Sequence, residues 1–184
     1  MPWWLLAATP PVVLAISWLR WRARDVAVRR VAAQRALADG NFDRAAALFE
    51  SLSGDLVPLE LARLYALRGD VERATQRADD ARRRPPRHIR ATFDARLLFV
   101  DALVAARRGE TLAAFDALAR HWSTFETAEN SWLAEACLLR GFLAAQLGFG
   151  VEIWLGLDDH SRARVRWMAA EWPELRAFLD AHDD

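Results

Sequence analysis

The pattern of hydrophobic and polar positions predicts a chain built from helices. Ala, Leu and Arg dominate the sequence, and all three favour helix, while stretches that alternate apolar and polar residues are missing from it. One apolar stripe at spacings of four, three and four predicts a helix over about residues 87–108, and its members are Phe93, Leu97, Val100 and Val104. A second stripe, from Leu112 to Ala119, follows the turn at Gly109. Together they predict an antiparallel helical hairpin.

This hairpin pattern recurs four times along the chain. The predicted turns are centred on Gly40, Gly69, Gly109 and Gly148. A small residue stands seven positions before each of these glycines, in the order Ala33, Ala62, Ala102 and Gly141. Alanine stands five positions after three of them, at Ala45, Ala74 and Ala114, and the second hairpin adds Tyr65, Ala81 and Pro86. These offsets predict helices that approach closely on either side of each turn.

The combination of small residues, turn glycine, alanine, aromatic residue and proline resembles the tetratricopeptide repeat (TPR) family. The resemblance implies an all-α, TPR-like solenoid of about four stacked antiparallel hairpins over residues 23–158. An unrelated helical bundle is the alternative. The turn glycines are 29, 40 and 39 residues apart rather than evenly spaced, so the repeats differ in length. Gly150 and Ile153 predict a short or irregular second helix in the fourth hairpin.

Residues 159–184 are predicted to form capping helices at the end of the solenoid. One helix is expected over residues 162–170, and Pro173 is expected at the first turn of another. Leu175, Phe178 and Leu179 would form the apolar face of that last helix.

The first 22 residues differ in composition from the rest and predict an N-terminal transmembrane helix. No charged side chain occurs from Pro2 to Leu19, a length that covers roughly 27 Å as a helix. Aromatic residues at its two ends are typical of membrane interfaces, and they are Trp3, Trp4, Trp18 and Trp21. Arginines follow the apolar run, including Arg20, Arg22 and Arg24, and the positive-inside rule then places the remaining chain in the cytoplasm. A cleaved signal peptide and a buried core helix are the alternatives for this segment.

Composition excludes several classes of function. The 25 basic residues balance 25 acidic ones, and every basic residue is arginine, so lysine-dependent Schiff-base and P-loop chemistry is impossible. The single cysteine, Cys137, excludes an internal disulfide, and its apolar neighbours predict a packed thiol. Asp158, Asp159 and His160 could ligate a metal, but they also fit a helix N-cap and turn. The sequence therefore predicts no enzyme, no catalytic or metal site, no cofactor, no nucleic acid and no small-molecule substrate.

The resemblance to TPR proteins implies a partner-binding groove lined by the first helix of each hairpin. Its positions in this chain are Arg30, Gln34, Leu59, Arg63, Arg96, Phe99, Leu103, Glu135, Leu138 and Phe142. Such a groove would suit an amphipathic or extended peptide with acidic and hydrophobic residues. The alternative is that Phe99, Leu103 and Phe142 are packed core.

A second basic feature surrounds Pro85 and Pro86, where Arg82, Arg83, Arg84, Arg87 and Arg90 cluster. Arginines in a last helical turn complement the helix dipole, which accounts for part of the cluster. Contact with anionic lipid headgroups or with an acidic partner is the functional alternative.

These features predict a non-enzymatic adaptor or scaffold, held by its N-terminal helix at the cytoplasmic face of a bacterial inner membrane, that binds a protein partner. A structural subunit buried within a membrane protein complex is the alternative, and a small metal-dependent enzyme is a third.

Overall fold

A computed structural model of the protein describes residues 4–127 and 132–182. Throughout these two stretches the regular structure is helical, and no strand occurs in them. The α-helices are α1 (Trp4–Ala38), α2 (Phe42–Glu50), α3 (Val57–Leu67), α4 (Val71–Arg83), α5 (Arg90–Arg107), α6 (Thr111–Arg120), α7 (Trp122–Thr127), α8 (Leu133–Gln146), α9 (Glu152–Leu155), α10 (Asp159–Val165) and α11 (Pro173–His182). A 3-10 turn over Arg166–Ala169 joins α10 to α11.

Four antiparallel hairpins stack in chain order. Hairpin 1 is the end of α1 with α2, hairpin 2 is α3 with α4, hairpin 3 is α5 with α6, and hairpin 4 is α8 with α9. The second helix of each hairpin packs against the first helix of the next, at α2–α3, α4–α5 and α6–α8. The all-helical class and the packing of neighbouring helices confirm that part of the prediction. The second helix of hairpin 4, α9, is only four residues long.

The four predicted turn glycines have left-handed backbone conformations. Their φ angles are 69° at Gly40, 85° at Gly69, 80° at Gly109 and 74° at Gly148. In each turn, the residue after the glycine donates its N–H to the carbonyl five positions earlier, at 2.8–2.9 Å. This is the Schellman motif, which satisfies carbonyl groups left open at a helix end and calls for a residue with positive φ.

The small residues predicted to allow close helix contact are buried. Ala33, Ala62 and Ala102 are at most 1% exposed. In hairpin 4, a Cβ added to Gly141 would lie 2.7 Å from the Cβ of Trp154, so only glycine fits there without a shift of α9. The predicted stripe on α5 is also internal, since Phe93, Val100 and Val104 are buried. Leu112 departs from the pattern because 57% of it is exposed.

α1 is a single helix of 35 residues that begins in the uncharged segment and ends in hairpin 1. Across the described residues, no helix combines the length and the apolar character needed to span a bilayer. The predicted transmembrane anchor over residues 1–22 is therefore not supported. Residues 17–24 of α1 are exposed, whereas Ala33, Ala36 and Leu37 are buried in hairpin 1.

The C-terminal segment, defined as residues 159–182, packs back onto the hairpins and does not extend the stack by another hairpin. Leu175, Phe178 and Leu179 are buried, as the apolar face of the last helix predicted. Trp172 and Met168 are also buried, so the segment joins the core of the hairpin stack.

Candidate binding face

The ten residues predicted to line a groove occupy three different environments. Arg30 and Gln34 are exposed on α1. The apolar members are buried in the core at 4% exposure or less, and they are Leu59, Phe99, Leu103, Leu138 and Phe142. This placement matches the packed-core alternative for Phe99, Leu103 and Phe142. The three charged members, Arg63, Arg96 and Glu135, come together in one cluster on the first helices of hairpins 2, 3 and 4.

A four-residue ionic network, made of Glu60, Arg63, Arg96 and Glu135, forms the centre of this face. Arg63 Nη1 donates to both carboxylate oxygens of Glu135 at 2.7 Å, and its Nη2 donates to Glu60 Oε2 at 2.7 Å. Arg96 Nη1 donates to Glu60 Oε1 at 2.9 Å. Two cations and two anions thus link three successive hairpins, and the network carries no net charge. Burial of Glu60, Arg63 and Glu135 is compatible with folding because each charge is paired.

Two tryptophans enclose the Arg63 guanidinium. Its Cζ lies 4.3 Å from the ring centroid of Trp132 and 5.2 Å from that of Trp167. The Cζ of Arg96 also lies over Trp132, at 4.6 Å. Such cation–π contacts strengthen when water is excluded, as it is around Arg63. Sequence reasoning missed both tryptophans, since Trp132 precedes α8 and Trp167 lies in the 3-10 turn, outside the repeat pattern.

The neighbouring carboxylates keep the Arg63 guanidinium charged. Burial by itself would lower the pKa of Arg63, but the carboxylates of Glu135 and Glu60 outweigh it and raise that pKa above its usual value. A guanidinium held in this way serves as a fixed cation, not as an acid or base.

The C-terminal segment covers this face and contacts all four hairpins. Trp167 packs edge-on against Phe42 of hairpin 1 at a centroid distance of 6.1 Å, and Glu171 pairs with Arg68 of hairpin 2 at 3.3 Å. Trp172 lies over the end of hairpin 3, where the Cζ of Arg107 is 4.5 Å from its ring. The segment therefore occupies much of the surface where the predicted groove would lie.

Hairpin 4 receives the most aromatic contacts from the segment. Phe142 packs against Trp172 at 5.3 Å and against Phe178 at 5.9 Å, and Phe178 also contacts Trp154 at 6.4 Å. These near-perpendicular and tilted ring pairs are favourable arrangements for aromatic side chains. The end of the C-terminal segment is consequently part of the core.

A cleft of about 600 Å³ remains where α10 approaches α1 and α8. Its walls include Gln34 and Glu135 on the hairpin side and Ser161 and Arg164 on the side of the C-terminal segment, with Arg63 and Trp132 also in its lining. The C-terminal segment thus leaves an opening beside Glu135 where α10 lies.

The residues predicted to meet a membrane lie on the exposed part of α1 wherever their side chains are described. Trp18 and Trp21 are 52% and 65% exposed, and the exposed arginines beside them are Arg20, Arg22 and Arg24. The Cζ of Arg22 lies 5.2 Å from the ring of Trp18. Trp3 and the side chain of Trp4 lie outside the described part of the chain.

The structure describes the local surroundings of Asp158 and Cys137, two of the residues weighed for chemistry. Asp158 caps α10 by accepting the Ser161 N–H at 2.8 Å, and this hydrogen bond lowers the pKa of its carboxyl group. Cys137 is 5% exposed, and burial raises the pKa of its thiol to about 11, so it is protonated at neutral pH. Within residues 4–127 and 132–182, no group of three or more His, Cys, Asp and Glu side chains is placed to hold a metal ion.

Comparison of the chain with models of protein families, with curated proteins and with solved structures finds no match.

Proposed function

We propose that this protein is a non-enzymatic, TPR-like adaptor that is attached through α1 to the cytoplasmic face of a bacterial inner membrane and binds a protein partner there. The proposal rests on the residues in the N-terminal part of α1, which extends beyond the hairpins. Trp18, Leu19 and Trp21 expose 52%, 57% and 65% of their surface, directly after a segment without charge. Exposed aromatic and aliphatic side chains beside arginines suit the boundary between lipid and water.

The hairpin stack supports the partner-binding half of the proposal. Stacked helical hairpins present extended surfaces, and attachment to a membrane raises the effective concentration of a partner on the same membrane. The C-terminal segment covers the face that carries the ionic network. Arg30 and Gln34 are therefore the predicted groove positions whose polar side chains are exposed. We expect a partner to reach the protein beside α1.

Flotation with lipid vesicles tests the attachment. The full chain should float with vesicles of phosphatidylcholine and phosphatidylglycerol, and a chain without residues 1–22 should stay at the bottom of the gradient. Leu112→Ser/Leu155→Ser is the matched control, since these residues are 57% and 49% exposed on the hairpins and should not affect flotation. Equal flotation of the full and shortened chains would contradict attachment through α1.

Affinity purification from native membranes tests the partner. A protein recovered with the full chain and lost with Arg30→Glu/Gln34→Glu would support an adaptor that uses the surface beside α1. Unchanged recovery with this variant would exclude that surface.

A structural subunit of a membrane complex is the second candidate, and one observation favours it. Val28 and Val31 of α1 are 65% and 54% exposed and line an open cleft of about 470 Å³ against α2. In that case a partner would co-purify at fixed stoichiometry, and only with chains that retain residues 1–22.

A further inference from the structure

The hairpin topology gives the stack two chemically different ends. The four glycine turns lie at one end, the turn end. The other end, the loop end, carries the connections α2–α3 and α4–α5. Because α1 runs toward its glycine turn, its N-terminal part leaves the stack at the loop end. The uncharged segment of α1 and the loop between α4 and α5 therefore lie at the same end of the molecule.

Local contacts link α1, at Arg30, to the end of α4 through the α2–α3 connection. A Cβ added to Gly54, in the α2–α3 connection, would lie 3.7 Å from Nη2 of Arg30 on α1. One cleft is lined both by Gly54 and Asp55 and by Arg83 and Arg84 at the end of α4. α1, the α2–α3 connection and the end of α4 are thus neighbours at the loop end.

The α4–α5 loop makes this surface basic. Residues 82–93 contain five arginines and no carboxylate. Arg82 pairs with Asp79 and Asp101, and Arg83 pairs with Asp80 at 3.1 Å, so these two cations are neutralised within the fold. Arg84 and Arg87 are exposed and form no ion pair among the described residues, and Ile89 beside them exposes 38% of its surface. Two unpaired cations and an exposed aliphatic side chain thus share one short loop.

The turn end differs from the α4–α5 loop in its carboxylates, since Asp39, Asp70 and Glu110 stand directly beside turn glycines. Some of its arginines, such as Arg44, form no ion pair among the described residues, but others are paired. Arg68 contacts Asp43 at 2.7 Å and Glu171 at 3.3 Å, and Arg73 lies 3.5 Å from Asp70. Net charge is zero for the whole chain, so acidic residues elsewhere balance the excess of positive charge in the α4–α5 loop.

We propose that the loop end docks on anionic lipid headgroups, with Arg84 and Arg87 at the phosphates and Ile89 at the level of the headgroups. This inference rests on the proposed attachment through α1 and adds the lipid class and the orientation of the hairpins. Val28 precedes the turn glycine Gly40 by the same number of residues as Val57, the first residue of α3, precedes Gly69. Val28 therefore marks the level on α1 at which α3 begins. Only nine residues of α1, a rise of about 13 Å, separate Leu19 from this level. An extended arginine side chain covers about half of that distance, and the remainder is shorter than the Debye length of about 8 Å at physiological salt.

Vesicle partitioning of the full chain tests the lipid class. Arg84→Gln/Arg87→Gln should lower partitioning onto vesicles with phosphatidylglycerol roughly 25-fold, since each arginine near an anionic surface contributes about a fivefold factor. The same variant should bind phosphatidylcholine vesicles as the wild type does. Arg44→Gln/Arg73→Gln is the matched control, because it removes two exposed arginines from the turn end and should change partitioning little.

Fluorescence quenching tests the orientation. A dye on Ile89→Cys should be quenched by a spin-labelled lipid headgroup, whereas a dye on Arg44→Cys should not. The native Cys137 is buried with a raised pKa, so labelling at neutral pH falls on the introduced thiol.

The outcomes separate this inference from the attachment itself. Equal losses for the two double variants, or equal quenching at positions 89 and 44, would overturn the docking of the loop end while leaving α1 as the attachment. Failure of the full chain to bind either kind of vesicle would overturn the attachment and this inference together.

Discussion

At the scale of single residues, Arg63 is the central residue of the ionic network. It is 1% exposed, it bonds two carboxylates, and it lies between the rings of Trp132 and Trp167. Its sequence position shows only that it belongs to the first helix of hairpin 2. Its main partner, Glu135, is 72 residues away. The residue predicted for an open groove is therefore a buried link between hairpins.

Removal of Arg63 should destabilise the protein strongly. Arg63→Ala leaves Glu60 and Glu135 buried without their main cation, which is expected to lower the free energy of unfolding by about 3–5 kcal/mol. Urea denaturation followed by circular dichroism measures this change. Arg73→Ala is the control, because that side chain is 67% exposed and its loss should change stability by less than about 0.5 kcal/mol. Similar stabilities for the two variants would show that the network contributes little.

At the scale of helices and turns, local chemistry accounts for the repeat. Each first helix ends in a Schellman motif whose glycine has positive φ, and each hairpin has a small buried residue seven positions earlier. These features depend on residues within about two turns of helix, so the sequence pattern located all four turns. It did not locate α7, which lies between hairpins 3 and 4 and outside the repeat pattern.

Substitutions at Gly109 test the turn conformation. A Cβ at this position would meet no atom within 4 Å, so Gly109→Ala changes only the backbone energy. With φ at 80°, the expected loss of stability is about 1–2 kcal/mol. Gly109→Asn should lose less, because asparagine tolerates this conformation. Thermal unfolding of the three proteins gives the order, and an alanine variant as stable as the wild type would contradict a left-handed turn.

At the scale of the whole molecule, the C-terminal segment changes the character of the stack. In a simple solenoid each repeat contacts only its neighbours. Here residues 159–182 contact Phe42 of hairpin 1 as well as Phe142 and Trp154 of hairpin 4. The first and last hairpins are thus linked through a segment that was predicted as a cap beyond them.

Phe178→Ala tests this link. Phe178 is 6% exposed, and truncation of a buried phenylalanine costs about 3–5 kcal/mol. We expect native-state hydrogen exchange to show weaker protection in hairpin 1, at Leu37, as well as in α8. Phe149→Ala, which removes a side chain that is 53% exposed, should leave both regions protected. Weaker protection confined to α11 would show that the hairpins are stable without the segment.

The sequence by itself determined the helical class, the four turns and the close helix contacts, because periodicity, positive φ and side-chain size act over a few neighbouring residues. It also singled out Arg63, Arg96 and Glu135, although as lining of an open groove. Only the tertiary structure decided that these side chains pair with one another, that Trp132 and Trp167 enclose them, and that the C-terminal segment covers them. The tertiary structure also places the basic α4–α5 loop at the loop end, where the N-terminal part of α1 leaves the hairpin stack. Such contacts join residues far apart along the chain, and they depend on how the hairpins stack in three dimensions.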